Sequence, residues 1–68
     1  MRFAITVDTA KMRDVRTQLE KNGVTVTAVL PRLGIIVGEG EEIVVSAIKQ
    51  IDGVHAIEPA QIVTVQKG

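Results

Sequence analysis

The chain has no cysteine and only one aromatic residue, Phe3. Without cysteine there is no disulfide to staple the fold and no thiolate to hold a metal. Without further aromatics there is no platform on which nucleic-acid bases could stack. Charge of one sign is missing as well: eight Lys and Arg balance eight Asp and Glu. Non-specific nucleic-acid binding needs a positive field, so a nucleic-acid partner is not expected. Apolar runs such as Ile43-Val44-Val45 are far too short to span a bilayer. Residues 1–15 carry charges and an alternating pattern instead of a continuous apolar stretch, so no secretory signal and no membrane partner are expected. The expected location is cytoplasmic. With 68 residues the sequence allows one domain, 1–68. A core of this size is marginal, because a chain of about 60 residues buries only about 60% of its unfolded surface.

What the chain does have is punctuation. Phe3, Ile5 and Val7 alternate with Arg2, Ala4 and Thr6, which predicts a strand with one buried face. Asp8-Thr9 offers a helix N-cap. Met12, Val15 and Leu19 then recur at helical spacing, with charged and polar residues between them, and Asn22-Gly23 ends the helix. Val24, Val26, Ala28 and Leu30 alternate with Thr25 and Thr27 as a second strand. Pro31-Arg32 marks a turn. Leu33, Ile35 and Val37 form a third strand, with Ile36 on its other side. So short a turn makes the second and third strands antiparallel neighbours.

Gly38-Glu39-Gly40 connects to a second helix, with Glu41 and Glu42 in its first turn, where the helix dipole favours anions. Val44, Ala47, Ile48 and Ile51 form its expected buried stripe, and Asp52-Gly53 ends it. Ile43, Val44 and Val45 are poor helix formers, so a strand at 43–45 is the competing reading. The spacing of 44, 48 and 51 and the Gly stop favour the helix. Val54 to Ile57 opens a fourth strand. Pro59 interrupts it, and Ile62-Val63-Thr64-Val65 has strong strand preference, which makes 60–68 an extended C-terminal arm.

The order β-α-β-β-α-β is two split βαβ units. Right-handed crossovers place both helices on one face of a four-stranded antiparallel sheet. The expected fold is therefore α+β, a ferredoxin-like sandwich. Its open face should present Arg2, Ala4, Thr6, Thr25, Thr27, Val29, Ile36 and His55, a surface of small, Thr-rich and partly apolar character that reads equally as a protein-binding site or as an ordinary half-polar sheet face.

No constellation for chemistry emerges. His55 alternates with Val54 and Ala56 and reads as a solvated surface residue, without a nucleophile, carboxylate or second ligand set beside it. Glu39, Glu41 and Glu42 lack the alternating oxygen ligands of a calcium loop and read as helix-start electrostatics. Gly34, Gly38 and Gly40 match neither a dinucleotide fingerprint nor a P-loop. Arg2, Lys11, Arg13, Arg16 and Lys21 are mixed with acids and read as a solvated face. Neither an enzyme nor a bound metal or cofactor is expected.

The run Leu33 to Val65, and within it Gly53-Val54-His55-Ala56-Ile57-Glu58-Pro59-Ala60-Gln61-Ile62, resembles the propeptides of subtilisin-type serine proteases and the free-standing inhibitors related to them. That family shows Val, two variable residues, Val or Ile, Glu, two more positions and an apolar residue; Val54, Ile57, Glu58 and Ile62 stand at those places. The resemblance implies a substrate-like serine protease inhibitor or intramolecular-chaperone-like protein whose sheet face packs on the protease and whose arm adds as a strand to the substrate cleft. It assigns Glu58 to capping a protease helix and Val63, Thr64, Val65 and Gln66 to the cleft. Members often carry a second acidic residue two places after the glutamate, where this chain has Ala60. Gln66 stands where subtilisins prefer a larger apolar group. The alternative is a small regulatory or ligand-binding module of ACT-like type, or a homodimerising domain, without inhibitory activity. Its first strand–helix turn, Asp8-Thr9-Ala10-Lys11, lacks the Pro-Gly usual in ACT-like domains. A monomer or a weak homodimer is expected; side-by-side dimers through an edge strand or the open sheet face suit the alternative reading, and a stable dimer that blocks the sheet face counts against the inhibitor.

Overall fold

The computed structural model of the chain describes residues 1–60. Phe3, Ile5 and Val7 are buried on one side of strand β1 (Arg2–Val7), as their alternation requires. Asp8 then accepts a hydrogen bond from Ala10 N at 3.0 Å and caps a 3₁₀ turn, Thr9–Lys11, which runs into helix α1 (Met12–Lys21). Val15 and Leu19 are its fully buried residues, and Met12 packs beside them.

The stop of α1 is a Schellman motif. Val24 N donates to Leu19 O at 3.0 Å and Gly23 N to Glu20 O at 3.1 Å, with Gly23 at φ +89°. The motif turns the chain sharply and drops Val24 into the core beside the helix it has just left. Strand β2 (Thr25–Leu30) follows, then a hairpin in which Leu33 N donates to Leu30 O at 3.1 Å, then strand β3 (Ile35–Glu39).

The second helix is much shorter than its sequence spacing suggests. A 3₁₀ turn, Glu42–Val44, precedes a four-residue helix α2 (Val45–Ile48). Ile48 is fully buried and Val44, Val45 and Ile51 pack against the core, whereas Ala47 is exposed. The β-branched run does not form a strand, yet it limits regular α-helix to a single turn, in keeping with its low helix propensity. Strand β4 (Val54–Pro59) closes the domain.

The sheet order is β2-β3-β1-β4, antiparallel throughout. This is the expected ferredoxin-like α+β sandwich, with Phe3, Ile5, Val7 and Ile36 from the sheet meeting Val15, Leu19 and Ile48 from the helices in one core. Burying one such side chain contributes roughly 1.5–3 kcal/mol.

Ile36 corrects the sequence reading. It is fully buried and pairs with Ile5 in register, so it faces the helices and not the open side. Ile35 and Val37 take the open side, and Leu33 lies in the turn, 67% exposed. The stretch 35–37 is apolar on both sides, so alternation alone could not set its parity. Gly38 carries the missing signal: a glycine inside a strand marks close approach of another segment. A Cβ there would sit 2.6 Å from Val24 Cγ1 and 3.2 Å from Thr25 O. That approach fixes Gly38, and with it Ile36, on the inner side.

A bulge explains the second misplacement. The β2–β3 register shifts between Val26 and Ala28, leaving Thr27 as the extra residue, whose hydroxyl donates to Val37 O at 3.2 Å. Beyond the bulge the parity inverts. Val26 and Val29 therefore both pack toward the core, and Ala28 and Leu30 turn outward.

Candidate protein-docking face

The register aligns the open face into rows running across the strands. Thr25, Glu39 and Arg2 form the first, Ala28, Val37, Ala4 and Glu58 the second, and Leu30, Ile35, Thr6 and Ala56 the third. The first row is polar. Arg2 Nη2 donates to Glu39 Oε2 at 2.8 Å, and that hydrogen bond holds the Glu39 carboxyl below its ordinary value, with the guanidinium charge adding to the effect. Both side chains are well exposed, so the contact orders the end of the sheet more than it stabilises the fold.

The other two rows are mainly small or aliphatic. No described helix covers them, since α1 and α2 both lie on the opposite side. Leu30 is 41% exposed and leads into the hairpin tip, where Leu33 extends the apolar surface. Glu58 stands at the β4 end of the middle row, directly across from Ala4, and is exposed. Its carboxylate thus borders the apolar band.

Of the residues expected on this face, Arg2, Ala4, Thr6 and Thr25 lie there. Thr27 is exposed at its bulge. Val29 and Ile36 do not belong to the face, whereas Ala28, Leu30, Ile35, Val37, Glu39 and Ala56 do. His55 is exposed at a second bulge: Thr6 pairs with Ala56 and Val7 with Val54, so His55 has no register partner. The structure therefore brings Glu58 and His55 to the same edge strand and separates both from Ile36. Val63, Thr64, Val65 and Gln66 lie outside the described residues, as does most of the arm 60–68. Ala60 itself continues the ladder, its N–H donating to Arg2 O at 2.8 Å, so Pro59 does not break β4 from β1.

Elsewhere, a groove of mixed character is lined by Lys11, Asp14, Gln18, Ala47, Ile51 and Asp52. Lys11 Nζ donates to Asp52 Oδ2 at 2.7 Å along its wall. Among the described residues no three His, Asp or Glu side chains are grouped to hold a metal, and no helix is long and apolar enough to cross a membrane. Comparison with family models, curated proteins and solved structures finds no match to this chain.

Proposed function

We propose that this protein is a non-enzymatic docking module that binds another protein through the open face of its sheet, and that the partner is a subtilisin-like serine protease held as by a substrate-like inhibitor. The observation that carries the reading is the juxtaposition of Glu58 with the Ala28-Val37-Ala4 row on a face no described element covers. An apolar band bordered by a single carboxylate suits a partner that offers helix surfaces. The band packs on them, and the carboxylate meets the orphan N–H groups at a helix start. Val63 to Gln66 act in this reading as the strand added to the cleft. The sequence-based expectation of a cytoplasmic location accompanies it.

Titration of subtilisin with the protein tests the proposal. Inhibition at micromolar concentration is expected, and its absence sinks the protease reading. Removal of residues 63–68 should abolish inhibition with the far-ultraviolet circular dichroism unchanged. Glu58→Gln should weaken inhibition by about tenfold, the order of one lost charge–helix contact in a partly buried setting.

A further inference from the structure

The two borders of the sheet differ. On β4, Ala60 N bonds to Arg2 O, and antiparallel hydrogen-bonded pairs alternate along a ladder. Ala56, Glu58 and Ala60 therefore turn their backbone groups toward β1, and Ile57 and Pro59 turn theirs outward. Proline has no N–H to offer at that border, and Glu58 and the His55 bulge guard it further. These are devices by which natural sheets refuse an added strand.

The β2 border has only one such device, the bulge at Thr27. Its sequence, Thr25-Val26-Thr27-Ala28-Val29-Leu30, carries no charge, no proline and no glycine. Which backbone groups it leaves free follows from the neighbouring ladder. Val7 N donates to Gly34 O at 2.7 Å and Gly40 N to Met1 O at 2.9 Å. Residues 34, 36, 38 and 40 thus bond toward β1, and residues 35, 37 and 39 bond toward β2, where they meet Leu30, Ala28 and Thr25. Val26 and Val29 are left with their N–H and C=O pointing away from the sheet. Among the described residues no strand takes them up.

We propose that the outer edge of β2 is a self-association site, and that its occupant is the β2 strand of a second copy, paired antiparallel about a two-fold axis between Thr27 and Ala28. This register is singled out by two independent matches. It sets Val26 opposite the partner's Val29 and Val29 opposite the partner's Val26, so that all the outward backbone groups at these positions meet their complements. It also sets Thr25 opposite the partner's Leu30, both on the open face, while the Val26–Val29 pairs both lie on the helix side. A slip of one residue would set inner side chains against outer ones. The two bulges fall together at the axis, Thr27 of each copy beside Ala28 of the other. The contact is isologous and closes at two copies, because the β4 borders left at the far ends lack the donor at Pro59. The product is a continuous eight-stranded sheet whose open faces lie side by side, so the association goes beyond the proposed docking role and leaves that surface free.

One added strand pair buries little area, which places the dimer in the weak, transient class. Sedimentation velocity from micromolar to millimolar concentration is the test, with backbone hydrogen exchange followed over the same range. The mass should rise from one chain to two, and the Val26 and Val29 amides should slow together with it. Thr27→Lys puts two like charges beside the axis and should raise the dissociation constant by about tenfold or more. The double variant Thr27→Lys with Ala28→Glu sets opposite charges across from each other in this register and should restore dimerisation. A monomer at millimolar concentration overturns the proposal, as does growth beyond two copies. So does a dimer whose β2 amides exchange unchanged, or a double variant no better than Thr27→Lys alone.

Discussion

Arg2 and Glu39 face each other across β1 and β3 and meet at 2.8 Å on the open side of the sheet, next to the point where the backbone of Gly40 bonds to Met1. Because the hydrogen bond from Arg2 lowers the folded-state value of Glu39 below its ordinary 4.5, the carboxylate form is favoured by folding. The stabilisation is present above pH 4.5 and is lost as pH falls through the lowered value. Urea midpoints measured from neutral to acid pH should therefore decline less steeply for Glu39→Gln than for the parent. The two curves should converge at the acid end, where the parent carboxyl is also neutral.

Lys11 gives the opposite limb. The hydrogen bond from its ammonium to Asp52 raises its value above the ordinary 10.5, with the Asp52 charge adding to the effect. A raised value means stabilisation that is full below pH 10.5 and lost as pH climbs through the folded-state value. Lys11→Met keeps an aliphatic stem over Gly53, where the Lys11 Cβ and Cδ lie. Thermal melts scanned from neutral into strongly alkaline buffer should show a shallower alkaline decline for this variant than for the parent.

Two glycines separate steric from conformational cost. Gly23 sits at φ +89° with nothing within 4 Å of a would-be Cβ, so Gly23→Ala should cost about 1–2 kcal/mol, the left-handed penalty alone. Gly38 has its Cβ position blocked at 2.6 Å by Val24, and Gly38→Ala should cost about 1–3 kcal/mol through forced repacking. Gly38→Ala together with Val24→Ala should recover part of the packing strain. Gly23→Ala with Val24→Ala should show no such recovery.

Adjacent residues of β3 should behave as if they belonged to different molecules. Ile36→Ala removes a fully buried side chain and should cost about 2–5 kcal/mol. Val37→Thr changes a residue of the open face and should stay within about 0.5 kcal/mol. Chemical denaturation of the two variants checks the inversion of strand parity.

Much of the fold is legible in the sequence because its signals agree with one another. The Phe3-Ile5-Val7 alternation, the Val15/Leu19 stripe and the glycines at 23 and 53 each point to the element they form. What is not legible has local causes. One inserted residue at Thr27 leaves no mark in the alternation before it, yet it reverses every position after it. Ile35-Ile36-Val37 is apolar on both sides. The helix expected around Ile48 shrinks to one turn because packing of Ile48 outlasts the helix propensity of its β-branched neighbours. At the candidate site, Glu58 enters through the family resemblance and not through the alternation, whereas Ile36 reads to the wrong side of the sheet. Val37, Ile35 and Leu30 escape for the same reason of parity.

Strand Ile35–Glu39 divides its two faces between different duties. Its inner residues are committed to the core by Ile36 and the glycine contact at Gly38, while its outer residues touch no described helix. Side chains at 35 and 37 can be changed without renegotiating the interior. A library varying only those two positions, together with Ala28 and Ala4, should keep nearly constant stability and, under the proposed docking role, would alter partner choice. The open face and the foldedness of the domain are thereby separately adjustable.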